Sequence, residues 1–501
     1  MLLLYLSSRT VSIELDSNNP FYHNGSKIYL NDNLIGHANT NVITLYDLEP
    51  DTKYNLKIDN DFVSFKTKSE TACFNIKSFN AAGDGITDDT SKIQSAISTA
   101  PKGALIYIPE GTYLVSSLYL KSDISIYLEK GATILAQTER KCYPVHPGLT
   151  DEHPIGIWEG TEQDNFASIF NLIDVKNVDI IGEGTIDGQA ENGDWYIDHR
   201  NPRIAWRGHL LFTERSENIH IIGLNFYHSQ SWSIHPYMSE NIDIINVNIK
   251  NNPHMPTTDG IDPDCIKHMR ILGSTISVGD DCIAIKSGTY KHALKYKASS
   301  SDILIRNNLM IEGHGGVVFG SELSGGINNI IVTNCVFKNT DRGLRIKTRR
   351  GRGHIGTINN IKFDNIIMDG VKTPFVINMY YNMGDKGGHD EYAWTKKKLP
   401  FNELTPVLGD FEFSNMNCTN VEYAAGVFLG LPESKIDGIK LKNIKFSYNN
   451  NCSEGSPAMI EHNFKLKNAG IYASNCVNIS FNDVEFSGII GEEIIREESD
   501  N

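Results

Sequence analysis

The chain has 501 residues, 40% of them hydrophobic, and a formal net charge of −15 at pH 7. This length exceeds one ordinary globular core, so two domains or an elongated repeat are expected. The negative charge argues against a nucleic-acid partner, because neutralising phosphates requires clustered Lys and Arg. A site for an acidic polymer would have to be locally basic, and the densest basic run lies at 345–352 (RIKTRRGR).

The eight cysteines are scattered without a Cys-x-x-Cys pair. Structural zinc and a small disulfide scaffold are therefore both disfavoured. Cys265, Cys282 and Cys335 stand beside apolar residues and are expected to be buried as small hydrophobic side chains.

The opening segment, MLLLYLSSRT, lacks a basic n-region and a clear cleavage site, and it is too short to span a membrane. We expect a cytoplasmic protein with no membrane partner. A secreted or periplasmic protein whose signal had been removed would have the same sequence.

Residues 1–70 are predicted to form a small antiparallel β domain. Alternating runs such as Val11–Leu15 and Lys27–Leu30 are separated by Asn, Asp and Gly. The Leu-x-Pro-x-Thr-x-Tyr segment from Leu48 to Tyr54 resembles the tyrosine corner of fibronectin type III domains. The resemblance implies a β-sandwich that acts as a spacer, as a wall of a substrate cleft, or only as a passive domain.

A helix is predicted after the Gly-Asp-rich segment 83–90, because Ile93, Ala96 and Ile97 are apolar at helical spacing. Asp and Thr residues before it are available as N-caps. Similar segments open many pectin-lyase-like β-helices, where the helix covers the open end of the first coil.

From about residue 104 the chain repeats a unit of Asn-Ile/Val-x-Ile followed by a second short strand. Most neighbouring copies lie roughly 23 to 41 residues apart. This pattern predicts that residues 71–501 form a parallel β-helix rather than a leucine-rich or helical repeat. Copies begin at Asn177, Asn218, Asn241, Asp302, Asn329, Asn360, Asn443 and Asn478, and weaker ones at His268 and Asp410.

Two stretches interrupt the repeat, at 137–170 and 383–405, and the acidic end, 488–501, is expected to fray. Tryptophans in loops beside a saccharide site commonly stack on sugar rings, whereas a lone tryptophan is more often part of a core. Four of the five tryptophans fall between 137 and 237: Trp158, Trp195, Trp206 and Trp232.

Four motifs lie about one coil apart: Thr257–Asp262 (TTDGID), Gly279–Cys282 (GDDC), Gly313–Gly315 (GHG) and Arg345–Lys347 (RIK). In a β-helix, residues one coil apart in sequence are stacked neighbours in space. This order would gather acids, a histidine and two cations into one patch.

Hydrolysis of a glycosidic bond needs one protonated carboxyl group for the leaving oxygen and a carboxylate that activates water or attacks. Asp259, Asp280 and Asp281 offer such groups on adjacent coils. Because like charges oppose joint ionisation, the cluster is expected to raise the pKa of at least one of them.

The order and spacing of these motifs resemble glycoside hydrolase family 28, the polygalacturonases and their relatives, from about Phe74 to about Ser487. The resemblance implies a right-handed, pectin-lyase-like parallel β-helix. It also implies inverting hydrolysis of α-1,4-galacturonosidic bonds in polygalacturonate or oligogalacturonides, with no cofactor and no metal.

The same resemblance implies roles for the motif residues. Asp280 matches the general acid, and Asp259 and Asp281 match the residues that position and deprotonate the water. His314 matches the histidine that influences protonation of the acid.

Arg345 and Lys347 match the cations that bind the galacturonate carboxylate. Tyr381 is the better match to a substrate-binding tyrosine, with Tyr380 as a close competitor. One position departs from the family: it usually has Asn at the start of the first motif, where this chain has Thr257.

The segments Asp259–Asp264, Gly320–Gly326 and Arg349–Gly353 look most like bacterial exo-acting members. In these enzymes extra loops block one end of the groove, and the inserts at 137–170 and 383–405 are candidates for that block. The expected partner is therefore a pectic polysaccharide or oligogalacturonide cut from its non-reducing end.

Several alternatives remain open on the sequence alone. They are an endo-polygalacturonase, a rhamnogalacturonan or xylogalacturonan hydrolase of the same family, a pectate lyase, and a non-catalytic carbohydrate-binding β-helix. The oligomeric state is also open.

Overall fold

Parallel β-structure fills most of the chain. The computed structural model describes residues 1–150, 153–381, 390–460 and 464–497, and it confirms the predicted parallel β-helix. Each coil contributes up to three strands, which pair in parallel with their counterparts one coil before and one coil after. The β-helix therefore has three faces, named first, second and third in the order in which the chain visits them.

The first and second faces belong to one continuous sheet. First-face strands are Ala72–Asn75, Ala104–Ile108, Ile124–Leu128, Lys176–Gly182, Glu217–Ile222, Glu240–Ile245, Lys267–Leu272, Ser300–Arg306 and Ile327–Thr333. Second-face strands are Asp84–Asp88, Gly111–Val115, Ala132–Ala136, Thr185–Asp187, Asn225–Tyr227, Asn248–Lys250, Thr275–Val278, Leu309–Glu312 and Val336–Lys338. Four longer strands run from the first face onto the second: Ile358–Asp369, Gly409–Val421, Ile436–Tyr448 and Cys476–Ser487.

The third face is continuous through the motif region. Its strands are Leu118–Tyr119, Phe170–Ile173, Leu211–Glu214, Ile234–Tyr237, Asp281–Ile285, Gly315–Gly320, Arg342–Lys347, Thr373–Asn378, Ala424–Leu429, Ala469–Ser474 and Ile494–Glu497. Between the fourth and fifth of these, the coil at 261–264 joins both neighbours through isolated parallel bridges. The last strand shows that the expected fraying of 488–501 is wrong for 494–497, while 498–501 lie outside the described residues.

Side-chain amides and carboxylates form a ladder along the turn into the first face. Every predicted copy of the repeat begins at a residue with φ between 52° and 59°. Asn and Asp adopt this left-handed conformation more readily than other non-glycine residues. Stacked amides bond to one another, as from Asn218 to Asn177 at 3.1 Å and from Asn360 to Asn329 at 2.7 Å.

The copy predicted at Asn443 lies in a different turn. Its amide donates to the Asn415 side chain at 2.7 Å, in the turn between the first and second faces. Gly438, with φ of 73°, makes the turn into the first face of that coil. The sequence pattern finds this coil but misplaces its register, because glycine replaces Asn in the turn.

The interior of the coils is a continuous apolar core that includes the buried Cys282, Cys335 and Cys418. Burial of Cys265, Cys282 and Cys335 is thereby confirmed. At its start the core is covered by the predicted helix, Thr90–Thr99, and the three predicted apolar positions of the helix are buried: Ile93, Ala96 and Ile97.

Of the acidic residues before the helix, Asp88 accepts from the backbone N–H of Thr90 at 2.9 Å, whereas Asp89 makes no side-chain cap hydrogen bond. The carboxylate of Asp89 accepts instead from two backbone N–H groups of the preceding segment, at 2.7 and 2.8 Å. The other helices are short: Tyr290–Tyr296 and Glu391–Trp394, with 3-10 turns at Ile76–Phe79, Arg140–Cys142 and Ala190–Asn192. Among the described residues no helix is long and apolar enough to cross a membrane.

The N-terminal segment is a two-sheet antiparallel β-sandwich. One sheet holds Leu2–Leu6, Val11–Glu14 and Val42–Leu45, and the other holds Tyr22–Leu30, Asn33–Thr40, Lys53–Ile58 and Asp61–Lys66. The Tyr54 hydroxyl accepts from the backbone N–H of Glu49 at 2.9 Å, as a tyrosine corner requires. Assignment to the fibronectin type III class and the boundary at residue 70 stay predictions.

The sandwich packs on the first face, on the turn between the first and second faces, and on the start of the second face, where Phe21 contacts Leu309 and Val336. Polar contacts join the two parts, such as the Tyr127 hydroxyl donating to Asp47 at 2.7 Å and Asn307 donating to Glu14 at 2.7 Å. An apolar cluster lies between them: Leu4, Tyr5, Val42, Leu105, Tyr127, Ile181, Ile222, Ile245 and Leu272. Among the described residues, these contacts involve the first and second faces and not the third.

Candidate active site

Three adjacent strands of the third face, Asp281–Ile285, Gly315–Gly320 and Arg342–Lys347, carry or adjoin the predicted site residues. Asp259 precedes the bridged coil at 261–264, one coil before Asp281. The coil stacking that the sequence predicts is therefore what brings the four motifs together.

The three predicted carboxylates converge. One oxygen from each of Asp259, Asp280 and Asp281 lies within 4.8 Å of the other two. Asp259 and Asp281 are buried, whereas the side chain of Asp280 is 22% exposed. Asp280 is therefore the most accessible acid of the cluster.

Both oxygens of Asp281 face a cation. Lys347 Nζ lies 2.6 Å from Oδ2 and an Arg345 nitrogen lies 3.2 Å from Oδ1. Burial alone would raise the pKa of Asp281, but Lys347 and Arg345 outweigh it and hold this pKa well below its ordinary value. Asp281 is therefore an ionised carboxylate at any working pH.

The Asp280 carboxyl group has one donor on each oxygen. His314 Nδ1 lies 3.2 Å from Oδ1, and the backbone N–H of Thr257 donates to Oδ2 at 3.0 Å. Burial opposes ionisation, but the His314 hydrogen bond, together with the charges of His314 and Lys347, outweighs it, so the pKa of Asp280 lies below its ordinary value. The same hydrogen bond raises the pKa of His314.

Asp259 is the acid whose pKa is raised. Burial is the main cause, and the nearby charges of Asp262 and Asp280 add to it. The predicted rise in the pKa of one acid is therefore present. In the protein without substrate it is the pKa of Asp259 that is raised, and not that of Asp280, which the resemblance assigns as the acid.

Of the two candidate tyrosines, Tyr381 is the one at the site. Its ring lies 5.9 Å from the Arg345 guanidinium and 5.7 Å from Lys347 Nζ. Tyr380 is buried, with its ring 5.9 Å from Arg350. The structure thus brings together Tyr381 and the two predicted substrate-binding cations.

A set of charged residues behind the acids was not predicted as part of the site. Lys286 is buried, with Nζ 3.2 Å from Asp262, 3.9 Å from Glu322 and 4.6 Å from the ring centre of Trp232. Burial raises the pKa of Asp262 to about 8, although Lys286 opposes the shift. The sequence feature that could have identified Lys286 is its position directly after Ile285, the buried last residue of the Asp281–Ile285 strand.

The basic run 345–352 is only partly available to a substrate. Arg350 is buried in an ion pair with Glu433, and its guanidinium also donates to backbone carbonyls of the segment around 392–397. Arg352 pairs with Glu322 at 3.3 Å. The local positive charge therefore comes from Arg345 and Lys347 rather than from the whole run.

The tryptophans near the site form a stack. The ring of Trp158 lies 4.7 Å from that of Trp206 and 5.5 Å from that of Trp232, with interplanar angles of 4° and 10°. Trp158 and Trp232 are buried, and Trp195 is buried in a separate cluster. These three tryptophans therefore belong to the protein interior rather than to an exposed sugar-stacking surface. Trp206 is half-buried and is the outer member of the stack.

A hairpin of the first insert, Ile157–Trp158 and Thr161–Glu162, is fixed against the helix Tyr290–Tyr296. Lys295 Nζ lies 2.6 Å from Glu162, and the N–H of Thr289 donates to the Gly160 carbonyl at 3.3 Å. Gly160 has φ of 68°, and a Cβ there would lie 2.9 Å from the Thr289 nitrogen. Glycine is thus required for this close approach.

A second segment lies over the other side of the cations. Arg342 donates to the carbonyls of Ser456 and Pro457, and Arg345 contacts the sulfur of Met459 at 2.6 Å. The second predicted insert, 383–405, lies partly outside the described residues (383–389).

The three site acids are the one group of His, Cys, Asp or Glu residues in the described ranges whose ligand atoms approach closely enough to hold a metal ion. Lys347 and Arg345 already occupy both oxygens of Asp281. Asp281 is therefore the member of the group whose two oxygens are both paired with cations.

The family model of glycosyl hydrolases family 28 matches residues 99–430. The chain belongs to that family. It is 31% identical over 374 residues to "Probable polygalacturonase" of Vitis vinifera, covering 73% of this chain and 72% of the relative. It is 28% identical to "Exo-poly-alpha-D-galacturonosidase" of Dickeya chrysanthemi, over 69% of this chain and 63% of the relative.

Solved structures of family 28 members share the fold. An exopolygalacturonase from Thermotoga maritima matches with a TM-score of 0.68 and 26% identity, over 83% of this chain and 92% of that one. A family 28 exopolygalacturonase of Yersinia enterocolitica matches with a TM-score of 0.70 and 18% identity, over 99% of this chain and 97% of that one. This family 28 protein is therefore a glycoside hydrolase that acts on pectin, and it has the parallel β-helix fold of its family.

Proposed function

We propose that the protein is an exo-acting hydrolase that releases galacturonate units from the non-reducing end of polygalacturonate or oligogalacturonides. The observation that carries the proposal is the convergence of three carboxylates on a histidine and two cations. Acids supply the chemistry of glycoside cleavage, and the cations match the carboxylate that distinguishes galacturonate from a neutral sugar.

In the proposed reaction, Asp280 donates a proton to the leaving oxygen, and Asp259 and Asp281 orient and deprotonate the attacking water. Asp280 is the accessible acid, and its His314 partner can share or supply the proton. A substrate carboxylate beside Arg345 and Lys347 would weaken their hold on Asp281 and add negative charge to the cluster. Both effects raise the pKa of a neighbouring carboxyl group, as a proton donor requires.

Exo action is supported by the hairpin Ile157–Glu162. It is fixed to the helix Tyr290–Tyr296, and its Trp158 packs on Trp232. Trp232 lies beside Ser233, whose N–H donates to the Asp259 carbonyl, so the hairpin lies over the coil before the catalytic one. A hairpin at that position limits how far a polymer could extend past the acids.

Inversion rests on the family resemblance. The acid oxygens lie within 4.8 Å of one another, which is less than the roughly 6.5–9.5 Å usual between the carboxyl groups of inverting enzymes. Proton NMR of the first product formed decides the point. Inversion at an α-linkage yields the β-anomer before mutarotation, whereas the α-anomer would mean retention and a covalent intermediate.

The proposed function is tested by a time course on de-esterified polygalacturonate with products separated by size and checked for ultraviolet absorbance. We expect monomer or dimer alone from the earliest times, without absorbance. A ladder of oligomers would mean endo action, and absorbing products would mean a lyase. Inactivity on this substrate but activity on a branched pectin would move the assignment to a rhamnogalacturonan or xylogalacturonan hydrolase.

A further inference from the structure

Arg207 is a buried cation close to the site that the proposed mechanism does not use. It is 2% exposed and its guanidinium lies 5.5 Å from the ring centres of both Trp158 and Tyr196. Within the described ranges no carboxylate forms an ion pair with it, and its hydrogen-bond partners are neutral. The N–H donors that form these bonds are therefore directed at carbonyl and hydroxyl oxygens and not at a carboxylate.

One arm of Arg207 reaches the first motif. Its Nη2 donates to the Thr257 hydroxyl at 2.7 Å, while Nη1 donates to the carbonyl of Gln230 at 3.0 Å. The guanidinium thereby ties the first motif to the preceding coil, which contains Gln230 and Trp232.

Thr257 has an unusual backbone conformation. Its φ is 58°, in the left-handed region where a β-branched residue is an outlier. In this conformation its N–H donates to Asp280 Oδ2 at 3.0 Å. A backbone held in a disfavoured region needs surrounding contacts that fix it, and the hydrogen bond from Arg207 is such a contact.

We propose that Arg207 is a positioning residue for catalysis: by holding Thr257 in its left-handed conformation, it aims the Thr257 N–H at the carboxyl group of Asp280. The inference rests on the proposed role of Asp280 as the acid. It also explains how Thr can occupy this position. Asn, the usual residue of the family here, adopts the left-handed conformation readily and would need no such support.

The test is a double-mutant cycle with Arg207→Met and Thr257→Val. The valine keeps the shape and β-branching of Thr257 and removes the hydroxyl, and the methionine keeps much of the arginine's apolar stem. We expect each single variant to lower kcat about 10- to 100-fold with little change in KM, because the acid is misplaced. The double variant should lose less than the product of the two single losses, because both changes remove the same Arg207–Thr257 hydrogen bond.

The pH dependence of kcat separates positioning from folding. Losing the Thr257 donor at Asp280 favours the neutral carboxyl group, so both single variants should shift the profile to higher pH. Thr257→Asn in the Arg207→Met background should restore part of kcat. Arg203→Met is the matched control, because Arg203 is an exposed neighbour paired with Asp194, and it should behave as wild type.

Additive losses in the double variant would overturn the proposal. So would an Arg207→Met variant with wild-type kcat and pH profile and only a lower Tm, since that would mean a purely structural role. Failure of the underlying function is seen separately: if Asp280→Asn keeps near-normal turnover, Asp280 is not the acid, whatever the cycle gives.

Discussion

At the scale of single residues, the Asp280 carboxyl group is constrained more closely than its partial exposure implies. His314 bonds to one of its oxygens and the Thr257 N–H bonds to the other. These two donors fix the plane of the carboxyl group without closing it to substrate. In its proposed role as the proton donor, Asp280 is therefore oriented before a substrate binds.

Asp280→Asn should lower kcat by about 10²- to 10⁴-fold, because the amide cannot donate an acidic proton while it keeps the shape of the group. Substrate binding, followed by isothermal titration with a short oligogalacturonide, should change little. Asp483→Asn is the control, since Asp483 is exposed and far along the last coils. Near-normal turnover of Asp280→Asn would contradict the assignment.

Lys286→Met should lower the free energy of unfolding by about 3–5 kcal/mol, because it removes the cation nearest to the buried Asp262 and leaves Glu322 only its ion pair with Arg352. Urea unfolding measures the effect. The exposed Lys362→Met, on the first face, is the control and should change stability by less than about 0.5 kcal/mol. Equal stability of the two variants would mean that the buried Asp262 is neutral without Lys286.

Sequence reasoning located the acids, His314 and the cations because coil periodicity converts sequence spacing into spatial proximity. It missed Lys286 and Arg207 for different reasons. Lys286 follows the strand that carries Asp281, and its burial depends on tertiary packing, which the sequence does not show. Arg207 lies 50 residues before Thr257, ahead of the Leu211–Glu214 strand and outside the repeated motif, so the repeat does not mark it.

At the scale of elements, the hairpin Ile157–Glu162 is the feature that distinguishes the proposed exo activity from endo activity. Replacing 157–162 by two glycines should open the groove, so that oligomers appear among the earliest products on polygalacturonate. Chromatography of products at low conversion measures the change.

Glu162→Gln is the control for the hairpin, because it removes the ion pair to Lys295 but keeps the loop. Exposed pairs of this kind contribute less than about 1 kcal/mol, so the product pattern should stay as in wild type. Monomer or dimer alone from the shortened variant would show that the hairpin does not block the groove.

The strands themselves were predictable from the Asn-Ile-x-Ile repeat, because the left-handed turn requires a narrow set of residues. The misplaced copy at Asn443 marks the limit of that rule. Glycine meets the same backbone requirement at Gly438, and a rule written for Asn passes over it. Likewise, the sequence places Asp and Thr residues before the helix Thr90–Thr99 as N-cap candidates, but it does not show that the Asp89 carboxylate accepts from the preceding segment.

At the scale of the whole molecule, buried neutral histidines link stability to pH. Burial lowers the pKa of His146 to about 4 and that of His209 and His235 well below the ordinary value. Unfolded histidine takes up a proton near pH 6.5. Between about 6.5 and 4 the unfolded state therefore binds more protons, and stability falls as the pH falls.

His146→Gln should reduce this dependence by roughly 3 kcal/mol between pH 7 and pH 4, the amount that corresponds to the His146 shift. Urea unfolding at several pH values measures it. His37→Gln, on the exposed surface of the sandwich, should leave the dependence unchanged. The raised pKa of Asp262 acts in the opposite direction in both variants and cancels in the comparison.

The N-terminal sandwich changes how the coils depend on one another. In a bare solenoid each coil contacts only its neighbours, so the ends can detach while the middle stays folded. Here the sandwich contacts successive coils from Leu105 to Leu272 through apolar side chains, and it reaches Asn307 through hydrogen bonds. Detaching any one of these coils would break contacts that the sandwich also makes with its neighbours, so we expect this part of the β-helix to unfold together with the sandwich rather than coil by coil.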